Sequence, residues 1–195
     1  MGRTATIART TNETDITVTL DLDGGGNVDV DTGVKFFDHM LEALGRHGGF
    51  DLAVKASGDL AVDAHHTVED VGICIGQAIA QALGDKRGIR RFGDAEIPMD
   101  EALVQAALDL SGRGQLHYAV DLPIEIIGTF DTTLAKEFLV ALATNAGMTL
   151  HVRSIAGENA HHIIEAAFKA VARSLREAVA LDERITDVPS TKGAL

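Results

Sequence analysis

One short motif occurs twice in this chain. His65-His66-Thr67-Val68-Glu69 and His161-His162-Ile163-Ile164-Glu165 share the pattern HHxxE. Each motif begins a long segment whose apolar residues recur at helical spacing, in the same register. These apolar stripes are Val68, Gly72, Ile75, Ile79 and Ala82 in the first segment, and Ile164, Phe168, Val171, Leu175 and Ala178 in the second. The sequence therefore predicts an internal duplication with one such helix in each half.

The spacing inside each motif indicates metal ligands. Side chains four residues apart on a helix are about 40° from each other, so the first histidine and the glutamate can share one ion. Two pairs have this spacing, His65 with Glu69 and His161 with Glu165. The second histidines, His66 and His162, point away from the apolar stripe and need another surface to meet. We therefore expect a dinuclear metal centre between subunits.

A histidine on a helix is more often an ordinary surface or core residue than a ligand. That interpretation would be sufficient for a single motif. Two copies in register, with four of the 8 histidines of the chain, favour metal binding instead.

Composition limits the partners of the chain. Its 195 residues, 46% of them hydrophobic, are enough for one domain or for two fused half-domains. A net charge of -12 argues against nucleic acid and membrane surfaces as partners, so an anionic substrate would need a local basic cluster. The single cysteine, Cys74, allows no intrachain disulfide, and no signal peptide or membrane span is recognisable. We expect a cytoplasmic protein.

The first half of the chain alternates between strand and helix patterns. Alternating β-branched residues predict strands over residues 3–10 and 16–22, and the glycine run at 24–26 is typical of a hairpin turn. Helical spacing predicts a helix over 36–47, which Gly48-Gly49 ends. A strand over 50–56 precedes the first HHxxE helix.

The second half repeats this order, starting at residue 102 after a polar link over 85–93. We therefore predict an α+β fold with an internal duplication of two β-β-α-β-(β)-α half-domains. These half-domains are residues 1–86 and 87–195, and each is a sheet with two helices.

Several polar residues are ambiguous when they are considered alone. The link holds Lys86, Arg87, Arg90 and Arg91, which either form a solvated linker or bind an anion. Arg113 lies in a glycine turn, and Glu13 lies in a short polar link between two strands. The tail residues Ser190, Thr191 and Lys192 either fray or contact a phosphate.

Four ordered segments together resemble the imidazoleglycerol-phosphate dehydratase family, and the resemblance covers essentially the whole chain. The segments are Phe37-Asp38-His39-Met40-Leu41, Asp63 to Asp70, Gly157 to Glu165, and Ser190-Thr191-Lys192-Gly193. The resemblance implies a ribosomal protein S5 domain 2-like fold and a homo-oligomer, a 24-mer built from trimers with intersubunit active sites. It also implies two Mn²⁺ per active site.

The activity implied by the resemblance is the dehydration of D-erythro-imidazoleglycerol phosphate to imidazole acetol phosphate and water in histidine biosynthesis. The proton that is removed is not adjacent to a carbonyl, so the imidazole ring must supply the electrons. Metal coordination of both ring nitrogens would favour the imidazolate, which expels the neighbouring hydroxyl through a diazafulvene-like intermediate. Imidazole and carboxylate ligands suit manganese.

The resemblance also assigns roles to individual residues. One ion would be held by His39, His66, His161 and Glu165, and the other by His65, Glu69, His162 and a fourth group. Glu13 would be the acid–base residue, and the catalytic set comprises Glu13, His65, Glu69, His161 and Glu165. Substrate contacts would come from Glu13, His39, Arg91, Arg113, Lys169, Ser190, Thr191 and Lys192. Among these, Arg91, Arg113, Ser190 and Lys192 would hold the phosphate, and Lys169 would line the same pocket.

The internal repeat places Glu137 at the position that His39 occupies in the first half. We therefore predict Glu137 as the fourth ligand of the second ion. The alternative is an ordinary acidic residue in the first turn of a helix, where it interacts favourably with the helix dipole.

Two other functions are compatible with a metal centre. In a structural metal assembly the ions would only join subunits, and no basic residues would be needed near them. A dimetal carboxylate oxidase of the helical-bundle type would have an all-helical frame, which the β-rich repeats disfavour.

Overall fold

Two four-stranded sheets and four long helices form the protein. The computed structural model describes residues 2–193 and 195. The first half contains β1 (Thr4–Thr10), β2 (Thr14–Asp21), β3 (Val28–Asp31), α1 (Lys35–Gly48), β4 (Asp51–Gly58) and α2 (His65–Leu83). The second half contains β5 (Phe92–Met99), β6 (Ala102–Asp109), β7 (Gln115–Ala119), β8 (Ile126–Ile127), β9 (Phe130–Asp131), α3 (Leu134–Ala146), β10 (Thr149–Ala156) and α4 (Ala160–Val179).

Both sheets have the same topology. The strand order is β1-β2-β4-β3 in the first sheet and β5-β6-β10-β7 in the second, and the short β8 and β9 pair with each other outside both. In each sheet the last pair, β3 with β4 or β7 with β10, is parallel, whereas the other pairs are antiparallel. The predicted α+β class and the predicted duplication are confirmed.

The glycine run after β2 is not a hairpin turn, so that prediction was wrong. β3 pairs with β4 and not with β2. Asp51 at the start of β4 explains the difference, because its Oδ1 accepts hydrogen bonds from the backbone N–H of Gly25 and of Asn27, each at 2.8 Å. These bonds hold the segment across the end of the sheet, so that the chain reaches the far side of β4.

Strand β5 lies partly inside the predicted polar link and precedes residue 102, where the repeated strand pattern was predicted to begin. Its outward side chains include the charged Asp94 and Glu96, which weakened the apolar signal that a strand normally shows. With β5 included, and apart from the short β8–β9 pair of the second half, each half runs β-β-β-α-β-α, and the third strand comes before the first helix.

The helices lie between the two sheets and pack across the halves. α2 packs against α3 and α1 packs against α4, while α2 covers β1 and β2, and α4 covers β5 and β6. The predicted apolar stripes of both HHxxE helices are buried. At the centre the rings of Phe37, Phe138 and Phe168 contact in sequence, with centroids 5.4 and 5.1 Å apart. One continuous apolar core therefore joins both halves.

Glycines follow the first two helices, and α1 ends close to its predicted end. Gly49 caps α1 in the left-handed region, with φ of 71°, and Gly84 follows α2 with φ of 54°. In the part of the chain that is described, no helix has both the length and the apolarity to cross a membrane.

We predict that Gly93→Ala destabilises the fold, because a methyl group there would meet the backbone of α4. The added carbon would lie 2.9 Å from Ala178 N and even closer to Ser174 O. Backbone atoms cannot rotate away, so a loss near the upper end of the usual overpacking range, about 1–3 kcal/mol, is expected in urea unfolding.

Gly25→Ala is the matched control for this experiment. The nearest atom to a carbon added at Gly25 is the Asn27 side-chain nitrogen at 3.7 Å, which is ordinary contact. Equal stabilities of the two variants would contradict the close approach of β5 to α4.

Candidate active site

Three potential metal ligands converge where α1 packs against α4. His39 lies on α1, and His161 and Glu165 lie on α4. The Oε2 of Glu165 is 3.3 Å from His39 Nε2 and 3.1 Å from His161 Nε2. Two ligands bound at about 2.1 Å and at right angles would show a similar separation. Within the described residues, this is the one group of three histidine, cysteine or acidic side chains within 4.8 Å of one another.

The start of α4 is held by its capping residue. The side chain of Asn159 accepts hydrogen bonds from the backbone N–H of His161 at 2.9 Å and of His162 at 3.4 Å. These bonds satisfy two of the free donors at the helix start. Asn159 thereby stabilises the turn that carries both histidines of the second motif.

Glu165 is a largely buried carboxylate, 7% exposed, with a cation beside it. Its Oε1 lies 2.7 Å from Lys169 Nζ. Burial alone would raise the pKa of Glu165, but the hydrogen bond and charge of Lys169, together with His39 and His161, outweigh burial and lower that pKa. The carboxyl group is therefore held in the ionised form that a metal ligand needs.

The first motif forms a looser pair on α2. His65 Nε2 lies 3.6 Å from Glu69 Oε2, and both side chains are about half exposed. The described structure does not bring Glu137 into a group of three with them. The ligand role of Glu137 therefore stays a prediction.

The second histidine of each motif contacts a carboxylate outside the motif. His66 Nδ1 is 3.0 Å from Asp59 Oδ2, and His162 Nδ1 is 2.7 Å from Glu101 Oε2. These hydrogen bonds raise the pKa of both histidines, and the bond from His162 is the main cause that lowers the pKa of Glu101 to about 2. Neither histidine joins the group of His39 in its own chain.

Sequence reasoning missed Asp59 and Glu101. The internal repeat contained a signal for Glu101, because the alignment of Leu108-Asp109-Leu110 with Leu20-Asp21-Leu22 places Glu101 on Glu13. No comparable signal pointed to Asp59, which lies in an irregular loop before α2.

Glu13 lies in the turn between β1 and β2, close to the start of α2. Its Oε2 is 3.7 Å from His66 Nδ1, and its backbone carbonyl accepts a 3.1 Å hydrogen bond from Asp59 N–H. About half of its side chain is exposed. The predicted acid–base residue is therefore beside the first motif and accessible from outside the chain.

The predicted phosphate ligands form a second group, at the other end of α4. Arg91 donates to the Pro189 carbonyl at 2.8 Å, so it holds the tail that carries Ser190, Thr191 and Lys192. A methyl group added at Gly112, next to Arg113, would come within 3.1 Å of the last residue, Leu195. The structure therefore brings Arg91, Arg113 and the tail together.

Asp109 belongs to this basic group, and it was not foreseen. Its carboxylate accepts hydrogen bonds from Arg91 at 2.7 and 3.1 Å and lies 3.9 Å from Arg113 Nη2. Much of the charge of Arg91 is thus compensated within the chain, whereas Arg113 is about two-thirds exposed.

The group of His39 and the basic group of Arg91 are far apart in a single chain. Arg91 N–H donates to the carbonyl of Ala178, near the end of α4, whereas Glu165 is in its second turn. At about 1.5 Å per residue these helix positions are about 20 Å apart. Lys169, which was predicted as a substrate contact, lies beside Glu165 and not with Arg91, Arg113 and the tail.

We predict that Mn²⁺ raises the melting temperature of the wild-type chain and raises it much less in His39→Ala. Loss of a group that merely orients a ligand costs about 10–100-fold in metal affinity, so loss of a ligand should cost at least about tenfold. Each factor of ten removes about 1.4 kcal/mol of ligand-dependent stabilisation.

His117→Ala is the control, since His117 is exposed and stacks on His151 in the second sheet, with ring centroids 4.2 Å apart. The same Mn²⁺-dependent shift in His39→Ala and His117→Ala would exclude His39 as a ligand.

Comparisons with known proteins all identify the same family. The family model described as imidazoleglycerol-phosphate dehydratase matches residues 32–175. The chain is 60% identical over 196 residues to the imidazoleglycerol-phosphate dehydratase of Frankia casuarinae, with 100% of both chains covered. It is 63% identical over 194 residues to that of Paracoccus denitrificans, which covers 99% of this chain and 100% of the relative.

Solved structures show the same fold. The crystal structure of imidazoleglycerol-phosphate dehydratase from Staphylococcus aureus aligns with a TM-score of 0.84 at 38% identity, and it covers 92% of this chain and 99% of that one. The Pyrococcus furiosus structure aligns with a TM-score of 0.84 at 40% identity, with 97% and 100% covered. The chain therefore belongs to the imidazoleglycerol-phosphate dehydratase family, whose members are hydro-lyases of histidine biosynthesis.

Proposed function

We propose that the chain dehydrates D-erythro-imidazoleglycerol phosphate to imidazole acetol phosphate at a centre of two Mn²⁺ that lies between copies of the chain. The observation that supports this proposal most directly is the convergence of His39, His161 and Glu165. Two nitrogen ligands and one carboxylate oxygen on one side of an ion leave other positions for substrate, and the carboxylate oxygen is a ligand type that suits manganese.

For the two ions we propose the ligands that the family resemblance implies, with Glu137 added from the internal repeat. His39, His161 and Glu165 would be joined by His66 of a neighbouring copy at one ion. His65, Glu69, Glu137 and His162 would serve the other. When bound, Mn²⁺ would withdraw electrons from the imidazole of the substrate and favour loss of its ring proton.

The remaining steps belong to side chains of the protein. Glu13 would first donate a proton to the departing hydroxyl, so that water leaves and a diazafulvene-like intermediate forms. The resulting carboxylate would then take up the proton from the neighbouring substrate carbon, which gives the enol once the ring regains its proton. Lys169 keeps Glu165 ionised and would extend its ammonium group towards the substrate. Arg113, Ser190, Thr191 and Lys192, with Arg91, would hold the phosphate.

The proposed active site needs more than one copy of the chain. The basic group and the group of His39 are about 20 Å apart along α4, which is further than one small phosphorylated imidazole can span. Among the described residues of their own chain, His66 and His162 also belong to no group of three possible metal ligands. A closed homo-oligomer, here proposed as a 24-mer of trimers, would supply the missing contacts by symmetry.

The direct test of the function is product formation from imidazoleglycerol phosphate. We expect the enol or ketone of imidazole acetol phosphate to form with Mn²⁺ and not with the chelated protein. Glu13→Gln should lower kcat by about 10²–10⁴-fold, the usual contribution of a general acid or base, while Mn²⁺ still binds.

Glu183→Gln is the control for the loss of a carboxylate, because Glu183 is exposed and far along the chain from both motifs. A wild-type protein that binds two Mn²⁺ per chain, assembles, and forms no product would support the structural metal assembly instead.

A second prediction tests whether the group of His39 and the basic group of one active site come from different copies of the chain. His39→Ala and Lys192→Ala should each be nearly inactive alone. Co-expressed or co-refolded mixtures should recover roughly a quarter of the wild-type activity, because random mixing in a symmetric oligomer joins two intact surfaces in that fraction of sites. Mixing after separate assembly is the control and should recover nothing. Recovery absent from verified mixed oligomers would place both groups in one chain.

A further inference from the structure

The second histidines of the two motifs share a contact that the motifs do not contain. In each, Nδ1 lies within hydrogen-bonding distance of a carboxylate, Asp59 for His66 at 3.0 Å and Glu101 for His162 at 2.7 Å. Asp59 precedes α2, and Glu101 lies in the turn between β5 and β6. The same contact therefore arises from different elements in the two halves.

The internal repeat explains the difference. Glu101 occupies the position in the β5–β6 turn that Glu13 occupies in the β1–β2 turn. Both glutamates face the second histidine of their own half, but the distances differ. Glu13 Oε2 is 3.7 Å from His66 Nδ1, too long for a hydrogen bond, whereas Glu101 makes the short bond to His162. In the first half Asp59 has replaced Glu13 in this contact.

We propose that Glu101 and Asp59 are positioning residues that hold His162 and His66 in the Nδ1–H tautomer, so that each Nε2 faces outward as a metal ligand. A carboxylate on the second ring nitrogen fixes the orientation of a ligating imidazole and increases its basicity. Because Asp59 carries out this task in the first half, Glu13 is free for contact with substrate. The inference rests on the proposed metal centre.

Backbone hydrogen bonds hold the carboxylate of Glu101 and the main chain of Asp59. Glu101 Oε1 accepts hydrogen bonds from the N–H of Asn159 at 2.9 Å and of Glu158 at 3.3 Å, so its other oxygen is directed at His162. Asp59 is fixed through its N–H, which donates to the Glu13 carbonyl at 3.1 Å. The β5–β6 turn thus sets the position of Glu101, and the loop before α2 sets the position of Asp59.

The free nitrogen of His162 remains accessible. Asp100 Oδ2 lies 3.6 Å from Nε2, beyond hydrogen-bonding distance, on a side chain that is 75% exposed. Asp100 can therefore move aside when an ion binds. The competing interpretation is that Glu101 only caps the start of α4.

Metal affinity and metal-free stability separate these two interpretations. Metal-stripped protein is titrated with Mn²⁺, and the unbound ion is measured by its electron paramagnetic resonance signal. We expect about tenfold weaker binding in Glu101→Gln and up to about 100-fold in Glu101→Ala, with a similar loss in Asp59→Ala. The resonance line shape of the bound Mn²⁺ should change in the same variants.

Glu158→Gln is the matched control, since its exposed carboxylate lies in the adjacent loop before α4 and makes no hydrogen bond to a histidine among the described contacts. It removes the same charge and should leave affinity and line shape unchanged. If Glu101→Gln and Glu101→Ala lower only the melting temperature of the metal-free protein and bind Mn²⁺ normally, Glu101 is a cap and the inference is wrong. If the wild-type protein itself binds no Mn²⁺, the proposed function fails first.

Discussion

The packing of helices across the two halves is the constraint on which the rest of the structure depends. Each half alone is a sheet with two helices, and one side of those helices would be left apolar and exposed. The contacts of α1 with α4 and of α2 with α3 bury these sides, and Phe37, Phe138 and Phe168 link three of the four helices at the centre. Burial of each such aromatic ring contributes on the order of 2 kcal/mol.

The same packing creates the candidate metal site. His39 approaches Glu165 only because α1 of one half lies against α4 of the other. Lys169, one turn further along α4, offsets the cost of the buried carboxylate. In a chain with a net charge of -12, such local cations decide where a buried carboxylate can stay ionised or an anionic substrate can bind.

Duplication has also allowed the two halves to diverge. Glu13 and Glu101 hold equivalent positions, yet only Glu101 makes the short bond to the neighbouring histidine. His39 and Glu137 are equivalent in the same sense, and only His39 lies in a group of three ligands within one chain. Equivalent backbone positions thus carry different chemistry once side chains or loops change.

The sequence by itself determined the duplication, the α+β class, the buried stripes and the pairs at HHxxE spacing, because these follow from local periodicity. It did not reveal β5, because the charged outward side chains of this strand mask its pattern. It also did not reveal that the glycine run crosses the end of the first sheet, because this path depends on Asp51, far along the chain. The contacts of Arg91 with Asp109 and the separation of the basic group from His39 were equally hidden. Only the tertiary structure decided these features, since each depends on which distant segments meet in the folded chain, and local residue patterns do not encode that.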